Sequence, residues 1–279
     1  MVQKSRLRVG AVSFLNTKPL IYPLLKEEIQ TDIALSVDIP SRVAALLSKG
    51  ELDVGLIPII EYFRANPLDT SYCILPKISI ASHGSVKSIQ LFSRVPIPEI
   101  RRIGLDTNSR TSIALLKILL AEKYQISAAF TTCRPTINPK TVLQDHQAPS
   151  FDAILLIGDS ALRHLGSTEY NLDLGEAWYK LTGLPFVYAC WVARTETQLG
   201  NLSEVLLESK ARGITRIPEI ARIEARKLDF PEKLCRDYLQ HHIKYDLDAP
   251  EIKGLELYYK YAVKNDLAPP DRHISFTTS

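Results

Sequence analysis

Apolar stretches along this chain alternate between two periods. Residues 6–14 are apolar and β-rich, and polar Asn16, Thr17 and Lys18 follow, which predicts a buried strand. Asn16-Thr17-Lys18-Pro19 then has the chemistry of a helix start, with a capping side chain ahead of a proline in the first turn. Ile33–Asp38 predicts a second strand. Pro40-Ser41 opens a helix whose Val43, Leu46 and Leu47 fall at i, i+3 and i+4, and Gly50 ends it. Residues 52–57 predict a third strand, buried on both faces, and Pro58 starts a helix through Glu61 and Tyr62.

Residues 72–94 change character. Residues 72–75 and Ile89–Ser93 are strand-like around the polar stretch Ser82-His83-Gly84-Ser85. After Pro96 and Pro98 the βα rhythm restarts. Arg102–Asp106 predicts a strand, residues 107–112 a polar turn, and residues 112–123 a helix with Ile113, Leu116 and Leu120 on one face. Residues 151–157 predict a strand, Gly158-Asp159-Ser160 opens a helix, and residues 186–193 form the last strong strand pattern. Beyond Glu196 only helical patterns remain. The tyrosine-rich residues 255–261 read as core and surface packing, and no internal repeat is visible.

This alternation predicts α/β architecture with mainly parallel sheets. The restart near residue 95 points to a second lobe, and the strand at 186–193 to a return to the first. The expected division is residues 1–92 plus 190–279 for one lobe and 93–189 for an inserted one. Two crossings make a hinge over a cleft, where small ligands bind. The helical tail packs on the first lobe or forms a homodimer contact.

Composition narrows the class. With 279 residues, 46% hydrophobic and 23% charged, the chain is an ordinary globular protein. It has no apolar run near the roughly 20 residues that cross a bilayer. A net charge of +3 with scattered basic residues reads as solvated surface, so neither nucleic acid nor membrane is expected as a partner. The charged start at residues 1–8 lacks the apolar core of a leader, so a cytoplasmic protein is expected. Cys73, Cys133, Cys190 and Cys235 are far apart, without CxxC or histidine spacing, so no disulfide framework or metal site is predicted.

Candidate chemistry sits in polar turns that open helices, because such turns line the ligand crevice of an α/β sheet and offer free amides to an anion. Asn16, in Phe14-Leu15-Asn16-Thr17-Lys18-Pro19, is either a helix cap or a ligand contact. The run Asp106-Thr107-Asn108-Ser109-Arg110-Thr111-Ser112 combines hydroxyls, one guanidinium and a helix N-terminus, which suits a carboxylate. Asp159, after Gly158, is a cap or a ligand contact. Gly84-Ser85-Val86-Lys87-Ser88 lies near the hinge, and its Ser88 is unremarkable by itself. No GxSxG elbow, phosphate loop or GxGxxG is present, and His83 stands without triad partners.

These turns carry a resemblance. Val9-Gly10-Ala11-Val12-Ser13-Phe14-Leu15-Asn16-Thr17-Lys18-Pro19-Leu20 resembles the opening of the chorismate dehydratase family of the futalosine route to menaquinone. The similarity continues through Gly50-Glu51-Leu52-Asp53-Val54-Gly55, Gly84-Ser85-Val86-Lys87-Ser88, Ser109-Arg110-Thr111-Ser112, Leu156-Ile157-Gly158-Asp159-Ser160-Ala161-Leu162 and Thr182-Gly183-Leu184-Pro185-Phe186-Val187. It spans residues 7–194 and is weak in the tail. The resemblance implies a two-lobed fold like a type II periplasmic binding protein, turned to catalysis without cofactor or metal. It implies that chorismate loses water to give 3-[(1-carboxyvinyl)oxy]benzoate, with Asn16 and Ser88 as catalytic residues. Substrate contacts are expected from Thr17, Ser109, Arg110, Thr111, Ser112, Gly158 and Asp159. The chain departs from the family at Ser85, where proline is usual. Two rivals stay open: a non-catalytic cytosolic binder of small carboxylates, and the later enzyme of the same route, which makes 1,4-dihydroxy-6-naphthoate.

Overall fold

The β-rich opening forms β1 (Leu7–Val12), whose last four residues are buried, and Lys18–Leu25 forms α1. These coordinates are a computed structural model that describes residues 6–65, 71–133, 137–143 and 151–277. Residues 1–5, most of the charged start, lie outside the described residues. β2 (Ile33–Asp38), α2 (Pro40–Ser48), β3 (Val54–Pro58) and α3 (Ile59–Arg64) follow as expected. β4 (Tyr72–Ser82) is far longer than the four residues predicted, and β5 (Ile89–Ser93) is wholly buried.

The second half of the pattern gives β6 (Arg102–Asp106) and α4 (Thr111–Leu119), which continues as a π-helical turn over Leu120–Tyr124. Next come β7 (Ala129–Cys133), α5 (Pro139–Leu143), β8 (Ala153–Ile157) and α6 (Gly158–Arg163). β9 (Tyr170–Asp173), α7 (Leu174–Thr182) and β10 (Phe186–Arg194) complete the strands. The tail is α8 (Leu202–Thr215), α9 (Ile217–Leu228), α10 (Glu232–Asp237) with a π-helical turn over Tyr238–His242, and α11 (Ala249–Lys264).

The strands form two five-stranded sheets, β2-β1-β3-β10-β4 and β7-β6-β8-β5-β9. They are mixed rather than mainly parallel. Three neighbours in each sheet run parallel, while β10 pairs antiparallel with β3 and β4, and β5 pairs antiparallel with β8 and β9. The physical cause is the pair of crossings. β5 is the strand that enters the second sheet from the first, and β10 is the one that returns. The expected cuts after residues 92 and 189 therefore fall inside strands.

The tail closes the first sheet. Gly213 lets α8 lie against α1, since a Cβ there would stand 1.7 Å from the Pro19 carbonyl oxygen. Ser209 also donates to the Leu20 carbonyl at 2.7 Å. Lys244 and Ala81 exchange backbone hydrogen bonds at 2.8 and 2.9 Å along the β4 edge. α11 starts with a capping box, Asp248 with Glu251. Its Tyr258 is buried and packs edge-on to Phe186, while Tyr259 stacks on Phe63. The tyrosines are packing residues, as their spacing predicts.

Candidate active site

The C-terminal ends of parallel strands from both sheets open on one cleft. Val12, Asn16, Pro58 and Tyr188 face it from the first sheet and its loops. Ser88, Arg110, Ser112 and Gly158 face it from the other side.

Asn16 sits in a 3-10 turn, Leu15–Thr17, between β1 and α1. The cap of α1 is Thr17, without a side-chain cap bond, so the capping reading of Asn16 does not hold and its amide faces the cleft. Thr17 is buried behind the lining and donates to Asn16 Oδ1 at 3.4 Å. That bond uses one of the two acceptor sites of the amide oxygen.

The turn is held from across the cleft. Asp159 Oδ1 accepts the Leu15 N–H at 3.1 Å. Asp159 is not the α6 cap either, because Ile157 holds that position. Burial pushes the Asp159 carboxyl up to about 6, and the Leu15 amide and Lys18 only partly offset it. Gly158 has φ +60°, and a Cβ there would lie 2.8 Å from the Phe14 ring. Glycine is thus required twice, by its backbone and by the close approach of Phe14.

Ser88 ends the crossing from β4 to β5 and is buried. Its loop is organised by Asp173, at the end of β9. One carboxylate accepts from Ser85 Oγ (2.8 Å), Val86 N (3.1 Å), Lys87 N (2.8 Å), Gln90 Nε2 (2.8 Å) and Glu176 N (3.0 Å). Five donors on one anion hold Lys87 at φ +64°, a conformation a lysine rarely adopts. Ser85 uses its hydroxyl in this set. The Ser88 carbonyl accepts the Gly158 amide at 2.7 Å, which ties the loop to α6. From the tail, Tyr238 donates to Ser88 Oγ at 2.8 Å, with the Asn16 side chain close enough to influence the same phenol.

The turn before α4 presents Arg110, exposed and without an ion-pair partner among the described residues, beside the first-turn amides of a nine-residue helix. Ser112 lines the cleft. Thr111 also lines it, but its hydroxyl donates to the Tyr188 carbonyl (3.1 Å) and accepts the Ile60 amide (3.3 Å), so its backbone is what remains for a ligand. Ser109 lies buried behind, its hydroxyl without a hydrogen-bond partner among the described residues. His83 is off the cleft, paired with Glu251. Among the described residues no cluster of three or more His, Cys, Asp or Glu is placed to hold a metal ion.

Six of the nine expected residues therefore share one cleft: Asn16, Ser88, Arg110, Thr111, Ser112 and Gly158. Thr17, Ser109 and Asp159 stand behind it. Asp173 and Tyr238 were missed. Asp173 had a local signal, a capping aspartate three residues ahead of Glu176. Tyr238 had none.

The family described as menaquinone biosynthesis matches residues 7–264. A chorismate dehydratase of Thermus thermophilus is 31% identical over 268 residues, covering 90% of this chain and 93% of the relative. Among solved structures, protein AF1704 of Archaeoglobus fulgidus superposes with a TM-score of 0.74 at 16% identity, over 95% of this chain and 99% of that one. The Candida albicans CA3427 product, of the generic periplasmic-binding-protein fold, gives 0.67 at 11% identity, over 96% and 92%. The fold is that two-lobed one.

Proposed function

The chain belongs to the menaquinone-biosynthesis family, and from that premise we propose that it is a chorismate dehydratase. The observation that carries the reading to residues is that Asn16, Ser88 and Arg110 meet on one cleft between the sheets. We place the lobe division at the two crossings, residues 83–88 and 183–185.

Chorismate carries two carboxylates and a ring one elimination short of aromaticity. Arg110 and the first amides of α4 bind the ring carboxylate. The Asn16 amide and the Ser88 hydroxyl hold the enolpyruvyl carboxylate and the C4 hydroxyl in a reactive pose. The substrate's own enolpyruvyl carboxylate takes the C3 proton, the C4–O bond breaks, and the electron pair left at C3 completes the aromatic ring. The departing hydroxide leaves with a proton as water. The protein orients and polarises, and aromatisation drives the step. The reading carries with it a cytoplasmic enzyme without a cofactor.

Purified protein incubated with chorismate tests this. The expected result is a product lighter by one water with an aromatic absorbance. Calorimetric binding of chorismate without that product would replace the reading by a carboxylate binder. Turnover of a cyclic futalosine derivative instead would move it to the naphthoate-forming step.

A further inference from the structure

Tyr238 comes from the tail, roughly 150 residues beyond Ser88, yet its hydroxyl bonds Ser88 Oγ with the Asn16 side chain nearby. It opens the π-helical turn Tyr238–His242, a departure from α-helical geometry that recurs at functional sites. Its side chain is 1% exposed, and burial holds the phenol protonated far above its ordinary range.

The hydrogen-bond directions are constrained. Asn16 Oδ1 accepts from Thr17 at 3.4 Å, and the Asn16 side chain lies beside the phenol. The phenol has one proton, and it goes to Ser88 Oγ. Ser88 Oγ, accepting that bond, has its own proton left over, and among the described residues no other hydrogen bond involves this hydroxyl. The open side of Ser88 is the cleft.

Resting on the dehydratase reading, we infer that Tyr238 is a positioning residue for the reaction. Its phenol holds Ser88 beside Asn16 and sets the Ser88 hydroxyl to donate into the cleft. Other buried phenols here bond away from the cleft, as Tyr258 does to the Thr111 carbonyl. Tyr238 instead bonds Ser88, a side chain that lines the cleft with Asn16.

The test compares kcat and KM on chorismate for wild type, Tyr238→Phe, Ser88→Ala and the double variant, with urea midpoints measured alongside. Tyr238→Phe is expected to lose ~10- to 100-fold in kcat with KM held within about threefold. In the Ser88→Ala background the same change is expected to cost less than about twofold, because its effect runs through Ser88. Replacement by 3-fluorotyrosine, which keeps shape and donor, should retain kcat within about twofold and controls for misfolding. Wild-type kcat in Tyr238→Phe, or an equal loss in both backgrounds, would overturn the inference while leaving the dehydratase reading intact. Failure of the wild-type chain to dehydrate chorismate would overturn that reading and the inference with it.

Discussion

The Leu15 amide donates to Asp159 Oδ1 at 3.1 Å, joining the turn that carries Asn16 to the helix that follows β8. Burial raises this carboxyl from 3.8 to about 6. The folded chain therefore holds the Asp159 proton more tightly than the unfolded chain does. The associated stability is full below about pH 4 and is lost as pH rises through 6, by at most about 3 kcal/mol. Asp159→Asn keeps an acceptor for Leu15 and removes the titration. Urea unfolding from about pH 4 to pH 7 should show wild type losing stability relative to the variant, and parallel profiles would refute the assignment.

Gly158→Ala should cost roughly 1–3 kcal/mol, because it combines a strained φ with a Cβ driven into the Phe14 ring. Phe14 lines the cleft, so the displaced ring should also weaken chorismate binding. The two causes separate in a Phe14→Ala background. There the steric part vanishes and only the backbone part remains in the melting temperature.

Arg110→Ala removes from the lining of the cleft a guanidinium that has no ion-pair partner among the described residues. One charge-assisted bond is worth about 1.5–3 kcal/mol, so KM for chorismate should rise roughly 10- to 150-fold with a smaller change in kcat. Steady-state kinetics with an unchanged KM would remove Arg110 from the substrate site.

Asp173→Ala strips the acceptor from five donors around the Ser88 loop. Buried donors left unmatched should cost roughly 3 kcal/mol or more, and amide exchange at Val86 and Lys87 should become fast. Ser85→Ala removes only one of the five and should cost about 1 kcal/mol. Equal urea midpoints for the two variants would show that the loop is held by something else.

Strands were legible where burial was continuous. β3 and β8 are buried at every position and stand out as unbroken apolar runs. β7 escaped because four of its five residues are exposed on a sheet edge, and β9 because only Asp173 among its four residues is buried. β4 was read too short, since its second half gains its burial from β10 and from Lys244 and Tyr245 of the tail. The site followed the same rule. Asn16, Ser88 and Arg110 stand in turns with local motifs, whereas Tyr238 acquires its partners only by tertiary packing. The mixed sheets were missed for a similar reason, because strand direction depends on where the chain crosses between lobes.

Within the first sheet, β4 has a single strand neighbour, β10, which comes roughly 100 residues later in the chain. As the polypeptide leaves the ribosome, the apolar β4 edge stays bare until the entire second lobe has been made. The first sheet cannot be completed before β10 arrives, so a nascent chain stalled ahead of β10 is the form most exposed to aggregation.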